Sequence, residues 1–347
     1  MISFKNDYSE GAHPEVLQAL VEYNELQEDG YGLDTHSQNA AMTIRELVAD
    51  PQAEVHFLSG GTQTNLIAIS SFLRPHEACI AARTGHIATH ECGAVEATGH
   101  KLLTVTTEDG KLTPELIAPV LQEHHFEHMV KPRMVYISEP TELGTLYTQQ
   151  ELLLLSDFCQ QKELYLYADG ARLGAALVCE EAALSWQEIY TLTDAFFIGG
   201  TKNGALLGEA LVVRNPLLQK DLRYLIKQKG ALLAKGRILG VQFEALLKDD
   251  LYLELARQAN ERAQRMAEAL AETGAAFLIS SPTNQIFPVL PNEIIEELSR
   301  RFDFYVWAKV SASHSAVRLV TSWATRPEAV ENFIAELKRL TRRQEGA

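Results

Sequence analysis

The feature that most restricts the fold is a rhythm. Short apolar runs, each closed by a turn or a polar residue, alternate with longer stretches of helical periodicity. "EVHFLS" (54–59), "EACIAA" (77–82), "RMVYISEP" (133–140), "LYLYAD" (164–169) and "AFFIGG" (195–200) read as strands, because brief apolar runs bounded by turn signals suit a buried sheet. Between them "GGTQTNLIAISSFL" (60–73), "TPELIAPVLQEHH" (113–125), "TQQELLLLSDFCQQKE" (148–163) and "SWQEIYTL" (185–192) read as helices. Thr113 is placed to cap its helix, with Pro114 at the first position. Glu139 and Asp169 stand thirty residues apart, and Asp169 and Lys202 thirty-three, about one strand–helix–strand unit each. The rhythm predicts an α/β large domain built on a mostly parallel sheet covered by helices. It sends Glu139, Asp169 and Lys202 to the carboxyl ends of strands, where such sheets bind ligands.

Past about residue 205 the texture changes. Residues 236–273 read as one long charged helix stopped by Gly274. Strand candidates follow at 284–291, 304–310 and 315–323, with a last helix at 326–343. The expected organisation is a large domain over 1–240, N-terminal segment included, and a smaller α+β domain over 241–347.

Composition narrows the function. A formal charge of −15 is a poor match for nucleic acid or an anionic membrane, which both reward positive charge. No apolar run is long enough to span a bilayer. The four cysteines, at 79, 92, 159 and 179, lack zinc or redox spacing. A cytoplasmic protein with no metal site is expected.

Four places carry chemistry. In "FFIGGTKNGALLGEALVV" (196–213) Lys202 sits between small residues in a loop flanked by buried strands. It is either a solvated loop lysine or a partly desolvated amine that forms a Schiff base with a carbonyl. "SGGTQTN" (59–65) sets two glycines and two threonines between a strand and a helix. The free amides of a helix start suit a phosphate there, unless the glycines only make a turn. Asp169 closes "YLYAD", either capping the next turn or pairing with a heterocyclic N–H. His86 follows a glycine in "ARTGHIATHE" (82–91), as a surface ring or as one that stacks and moves protons.

Together these segments resemble the threonine aldolase and β-eliminating lyase branch of the fold-type-I pyridoxal-phosphate enzymes. "FKNDYSE" (4–10), "EDGYGLD" (28–34), "SGGTQTNLIAI", "GHIATHE", "ADGARLGAA" and "GGTKNG" fall in the family's order. The resemblance implies pyridoxal 5′-phosphate as cofactor, linked to Lys202. Asp169 would pair with the protonated pyridine nitrogen, His86 would stack on the ring, and Gly60, Gly61 and Thr62 would cradle the phosphate. Within "KQKGALLAKGR" (227–237), Lys235 or Arg237 could add a cation there, from the same subunit or a neighbour. Arg172 and Arg318 would receive the substrate's α-carboxylate, with Asn6 and Tyr31 at the substrate.

The reaction implied is a retro-aldol cleavage of threonine or allo-threonine to glycine and acetaldehyde. His86 or His128 would serve as the base that takes the β-hydroxyl proton. A homodimer or homotetramer with shared sites is implied as well. The chain departs from the family's common form in places: Asn6 and Tyr8 stand for Ser and Thr, and Glu139 is followed by Pro-Thr where that form has Asn-Thr-His. These departures reshape the pocket edge. The alternatives are β-elimination, or cleavage of a different β-hydroxy amino acid, on the same scaffold. A nicotinamide enzyme is disfavoured, because no Gly-x-Gly-x-x-Gly follows an early strand.

Overall fold

Seven strands form the central sheet of the computed structural model, which describes residues 1–345. They are β1 (Glu54–Leu58), β2 (Glu77–Ala82), β3 (Leu102–Val105), β4 (Lys131–Ser138), β5 (Tyr165–Asp169), β6 (Ala195–Gly199) and β7 (Glu209–Val213). Their spatial order is β1-β7-β6-β5-β4-β2-β3. Only β7 runs antiparallel to its neighbours. Side chains alternate between two apolar layers, as the period of two requires. Met134 and Tyr136 of β4 join Cys79, Tyr167 and Phe197 on one face. Val135 and Ile137 join Ile80, Leu166 and Ile198 on the other. With both faces covered, the strands read as unbroken apolar runs, which is why they were legible.

The helices between strands lie close to their expected spans, at Gly61–Phe72, Pro114–Glu123, Gln149–Gln161 and Trp186–Leu192. Thr148 with Glu151, and Ser185 with Glu188, close reciprocal capping boxes. After β2 the chain goes outward to β3, then returns to place β4 on the other side of β2. A crevice opens where the order reverses, at the carboxyl ends of the strands.

Two differences from the sequence expectation are structural. The long helix over 236–273 is two helices, Arg237–Leu247 and Leu251–Glu272, separated by a break in which Asp249 and Asp250 have φ of 50° and 63°. A charged, continuous 3.6-residue pattern hides such a break, since aspartate tolerates the left-handed region better than most residues. The expected boundary at 240 falls inside the first of these helices. That helix packs on Thr35–Leu47, and a Cβ added to Gly240 would lie 2.5 Å from the Ser37 backbone nitrogen.

Helices Pro14–Glu22 and Thr35–Leu47 were not expected. The second buries a narrow stripe of Ser37, Ala40, Ala41 and Ile44, too polar to stand out in the sequence.

In the C-terminal part, an antiparallel sheet runs in the order Gln285–Ile286, His314–Val320, Pro288–Pro291, Ala276–Phe277, and Tyr305–Lys309 also pairs with His314–Val320. The N-terminal residues Ile2–Ser3 pair with Phe302–Asp303. Phe4 packs fully buried against Phe302 and Phe333, which leads the chain from the small unit into the crevice at Asp7. Among the described residues no helix is long and apolar enough to cross a membrane.

Candidate active site

The crevice holds a cavity of about 310 Å³ lined by Gly60, Gly61, Thr62, His86, Asp169, Arg172 and Lys202, with Tyr8, Ser138, Glu142 and Glu209 among its other walls. Seven residues expected from separate stretches of sequence therefore meet in one place. The meeting depends on close backbone approach. A Cβ on Gly199 would sit 2.3 Å from the Ala171 carbonyl oxygen, so glycine lets the loops after β5 and β6 touch.

Lys202 is partly buried and makes no hydrogen bond or ion pair among the described residues. Its ammonium is pushed below the usual lysine range, first by burial and next by Arg172. Asp7, Asp169 and Glu209 pull the other way. A lysine so placed is primed as a nucleophilic amine. Glu209 accepts from the Gly200 N–H at 2.9 Å and from the Thr201 hydroxyl at 2.8 Å. Burial lifts its carboxyl to about 7 against the pull of those donors and of Lys202.

Asp169 ends β5 and is saturated with donors. The Tyr136 hydroxyl donates to Oδ2 at 2.6 Å, Asn65 Nδ2 to the same oxygen at 2.8 Å, and the Ala171 N–H to Oδ1 at 3.0 Å. Asn65 is fully buried and spends both N–H donors: the second goes to Glu91 at 2.8 Å, and its oxygen accepts from Tyr167 at 3.0 Å. Glu91 in turn meets His86 Nδ1 at 2.8 Å. With Glu91 ionised, Nδ1 carries the proton and Nε2 is the free ring nitrogen. None of Asn65, Tyr136 or Glu91 was picked out from sequence. The available signal was an asparagine one turn into the helix, just before its apolar run at 66–69.

Gly60 caps helix Gly61–Phe72 without a side chain, and the N–H groups of Gly61, Thr62 and Gln63 have no acceptor among the described residues. Three free amides at the start of a twelve-residue helix suit an anion.

The two arginines expected to share one carboxylate differ. Arg172 is already bidentate on Asp7, Nε at 2.6 Å and Nη2 at 3.0 Å, and Asn284 donates to the same carboxylate at 2.9 Å. Burial raises the Asp7 carboxyl, yet Arg172 and Lys202 outweigh it and hold it below the usual range. Arg318 has no carboxylate partner among the described residues. It lies over the rings of Tyr305 and Trp307 at 5.3 and 5.1 Å, with its Nε buried and unpaired. Burial, then Arg172, lowers its pKa. Its Nη2 donates to the Lys5 carbonyl at 3.4 Å; a desolvated guanidinium with no carboxylate partner is a receptor for an anion.

Other expected residues lie elsewhere. His128 is exposed before the amino end of β4, its ring against Phe126 at 4.9 Å. The length of that strand, roughly 25 Å, separates it from the cavity. Arg237 donates to the carbonyls of Leu26 and Asn24, and Lys235 is exposed. Tyr31 borders a different hollow, with Lys227 over its ring at 4.4 Å. Asn6 organises its own loop, accepting from the Tyr8 N–H and the Ser9 hydroxyl. Glu139 is one residue past Ser138 and so faces away from the cavity. It accepts from the Tyr147 N–H at 3.1 Å, and burial pushes it up to about 8. The pleat decided this, since successive side chains point to opposite faces.

Residues 7–292 match the family model of beta-eliminating lyases. The chain is 34% identical over 342 residues to the low specificity L-threonine aldolase of Pseudomonas aeruginosa, covering 96% of each chain. It is 26% identical over 327 residues to that of Escherichia coli, covering 92% of this chain and 93% of the other. A threonine aldolase structure from Leishmania major superposes with a TM-score of 0.97 at 48% identity, over 98% of this chain and 100% of that one. An aspartate aminotransferase of Thermus thermophilus shares the fold alone, at a TM-score of 0.71 and 15% identity, over 98% and 91%. The architecture is fold type I, and the chain belongs to the beta-eliminating lyase family.

Proposed function

We propose that this chain is a pyridoxal 5′-phosphate-dependent carbon–carbon lyase that cleaves threonine or allo-threonine to glycine and acetaldehyde. The observation that carries the reading is Lys202: an unpaired, partly buried lysine whose charge is disfavoured, in one cavity with a donor-saturated aspartate. The residues present suit the cofactor. Lys202 would hold its carbonyl carbon, the free amides of Gly61 and Thr62 its phosphate, Asp169 its ring N–H, and His86 one face of the ring. When bound, the cofactor supplies an electron sink for the charge that develops at Cα.

The chain's own groups do the rest. Asn65, Tyr136 and the Ala171 N–H fix the Asp169 carboxylate as an acceptor aimed into the cavity. Arg318 binds the substrate carboxylate, and Arg172 contributes its remaining N–H while anchored by Asp7. Strands buried on both faces hold these groups rigid and keep water from reaching behind the site.

Tyr31 and Arg237 face away from this chain's own cavity. Their position supports self-association, as a homodimer or homotetramer, in which they would serve a neighbouring copy. Four unpaired cysteines agree with a cytoplasmic setting.

The deciding measurement is absorbance from about 300 to 500 nm with pyridoxal phosphate, before and after borohydride, for wild type and Lys202→Ala. L-Threonine is then added, and glycine, acetaldehyde and 2-oxo acid are assayed. A borohydride-sensitive visible band that the variant lacks, with glycine and acetaldehyde as products, is expected. A 2-oxo acid would move the assignment to β-elimination, and no band would remove the cofactor.

A further inference from the structure

One carboxylate on the cavity wall has no part in that scheme. Glu142 lies in the loop after β4, beside the switch point, and lines the same cavity as Lys202, Asp169 and Arg172. Its Oε1 accepts from the His86 N–H at 2.7 Å and from the Ser138 hydroxyl at 2.7 Å. Its own backbone N–H also bonds the carboxylate, and among the described residues no side chain donates to Oε2. Burial, aided by the nearby charge of Asp169, lifts its pKa above the usual carboxylate range, against the pull of Ser138 and the His86 N–H. The titratable groups around it are Asp169, Tyr136, Tyr147 and His86.

We propose that Glu142 is the catalytic base that takes the β-hydroxyl proton of the substrate. The inference rests on the aldolase reading above. His86 has Nδ1 on Glu91, which leaves Nε2 on a ring whose face would stack on the cofactor, and His128 lies outside the cavity. Glu142 offers in the same space an oxygen, Oε2, that no side chain among the described residues occupies. As the hydroxyl O–H bond breaks, its proton passes to Oε2 and its electron pair becomes part of the aldehyde C=O. The Cα–Cβ bond breaks, and its electron pair stays at Cα. A proton is then returned to Cα, so threonine becomes glycine plus acetaldehyde with no atom gained or lost.

The protonated carboxyl has a place to rest. With the proton on Oε2, Oε1 still accepts from the His86 N–H and the Ser138 hydroxyl at 2.7 Å each. Tyr136 keeps its own hydrogen on Asp169. Proton uptake at Glu142 is thereby accommodated without breaking the network that orients Asp169.

The test uses the cofactor-loaded enzyme and two reactions. Glu142→Gln keeps an oxygen for His86 and Ser138 but cannot take a proton. Threonine cleavage should fall in kcat by about 10²–10⁴-fold, with KM changed by no more than a few-fold. Exchange of the glycine α-proton in D2O, followed by NMR, needs no β-hydroxyl base and should stay within about three-fold. Cleavage left intact, or both reactions lost in parallel, would overturn the proposal. Should the variant not fold, the wild-type kcat profile decides. Its acid limb should inflect above the ordinary carboxylate range and persist in His86→Asn, whereas a limb that vanishes in His86→Asn assigns the base to His86. A wild-type protein that neither binds pyridoxal phosphate nor exchanges glycine would instead fail the aldolase reading itself.

Discussion

The two walls of the cavity are built on opposite principles. On the wall made by β4 and β5, polar groups are satisfied within the fold: Asp169 accepts three hydrogen bonds, and Asn65 uses both N–H donors and its oxygen. On the wall made by the loop after β6, Lys202 lacks any carboxylate partner among the described residues, and so does Arg318 of the small unit, near enough to feel the charges of Arg172 and Asp7. Buried polar groups are normally paired. A saturated wall is finished by folding, and an unsaturated one is finished by a ligand. The difference separates groups that orient from groups that bind.

Substitutions should split along the same line. Lys202→Ala should abolish turnover, by at least about 10⁴-fold, yet leave unfolding stability unchanged or raised, since it removes a charge the fold disfavours. Thermal melts beside the activity assay check this, and a clear loss of stability would break the comparison. Asp169→Asn should cost both. Whichever way the amide turns, its NH2 faces either the Tyr136 and Asn65 donors or the Ala171 N–H. The expected loss is about 1–3 kcal/mol with about a 10²–10³-fold drop in kcat, read from denaturant curves and steady-state kinetics.

Arg318→Gln should raise KM for the amino acid about 10–100-fold with a smaller change in kcat, because it removes a charged contact to a carboxylate made throughout the reaction. A fall in kcat alone would show that Arg318 orients and does not bind.

Glu139, turned away from the cavity, keeps one buried oxygen, Oε1, without a partner among the described residues. Its carboxyl moves from 4.5 to about 8 on folding, because of burial. The fold therefore holds this proton more tightly than the unfolded chain does. The stability so contributed is complete below pH 4.5 and is lost as pH rises through 8. Glu139→Gln should gain on the wild type across that window, by up to a few kcal/mol, measured as melting temperature against pH. The smallest effect is expected for His128→Ala: on the far edge of the sheet, it should leave kcat/KM within about two-fold.

Much of the site was legible because its parts are local. A lysine among glycines after an apolar run, an aspartate closing a strand, and a glycine pair opening a helix each declare a strand end in a few residues. Asn65, Tyr136 and Glu142 were not legible. Their roles depend on which strand lies beside which, and an asparagine inside a helix or a tyrosine inside a strand looks like ordinary packing. Arg172 was visible as a cation but not as the partner of Asp7, 165 residues away in the chain.

The sequence alone determined the alternation of strands and helices, and with it the edge of the sheet to which Asp169 and Lys202 are sent. It also determined that the chain is acidic and lacks the charge for nucleic acid. Periodicity and turn chemistry act over a few residues, so they survive in one dimension. Only the tertiary structure decided which polar groups are satisfied. That choice moved Glu139 out of the cavity and brought Glu142 in, gave Arg172 to Asp7, and left Lys202 and Arg318 open. Satisfaction is a property of three-dimensional neighbours: a hydrogen bond needs about 3 Å and a direction, and no pattern along the chain specifies either.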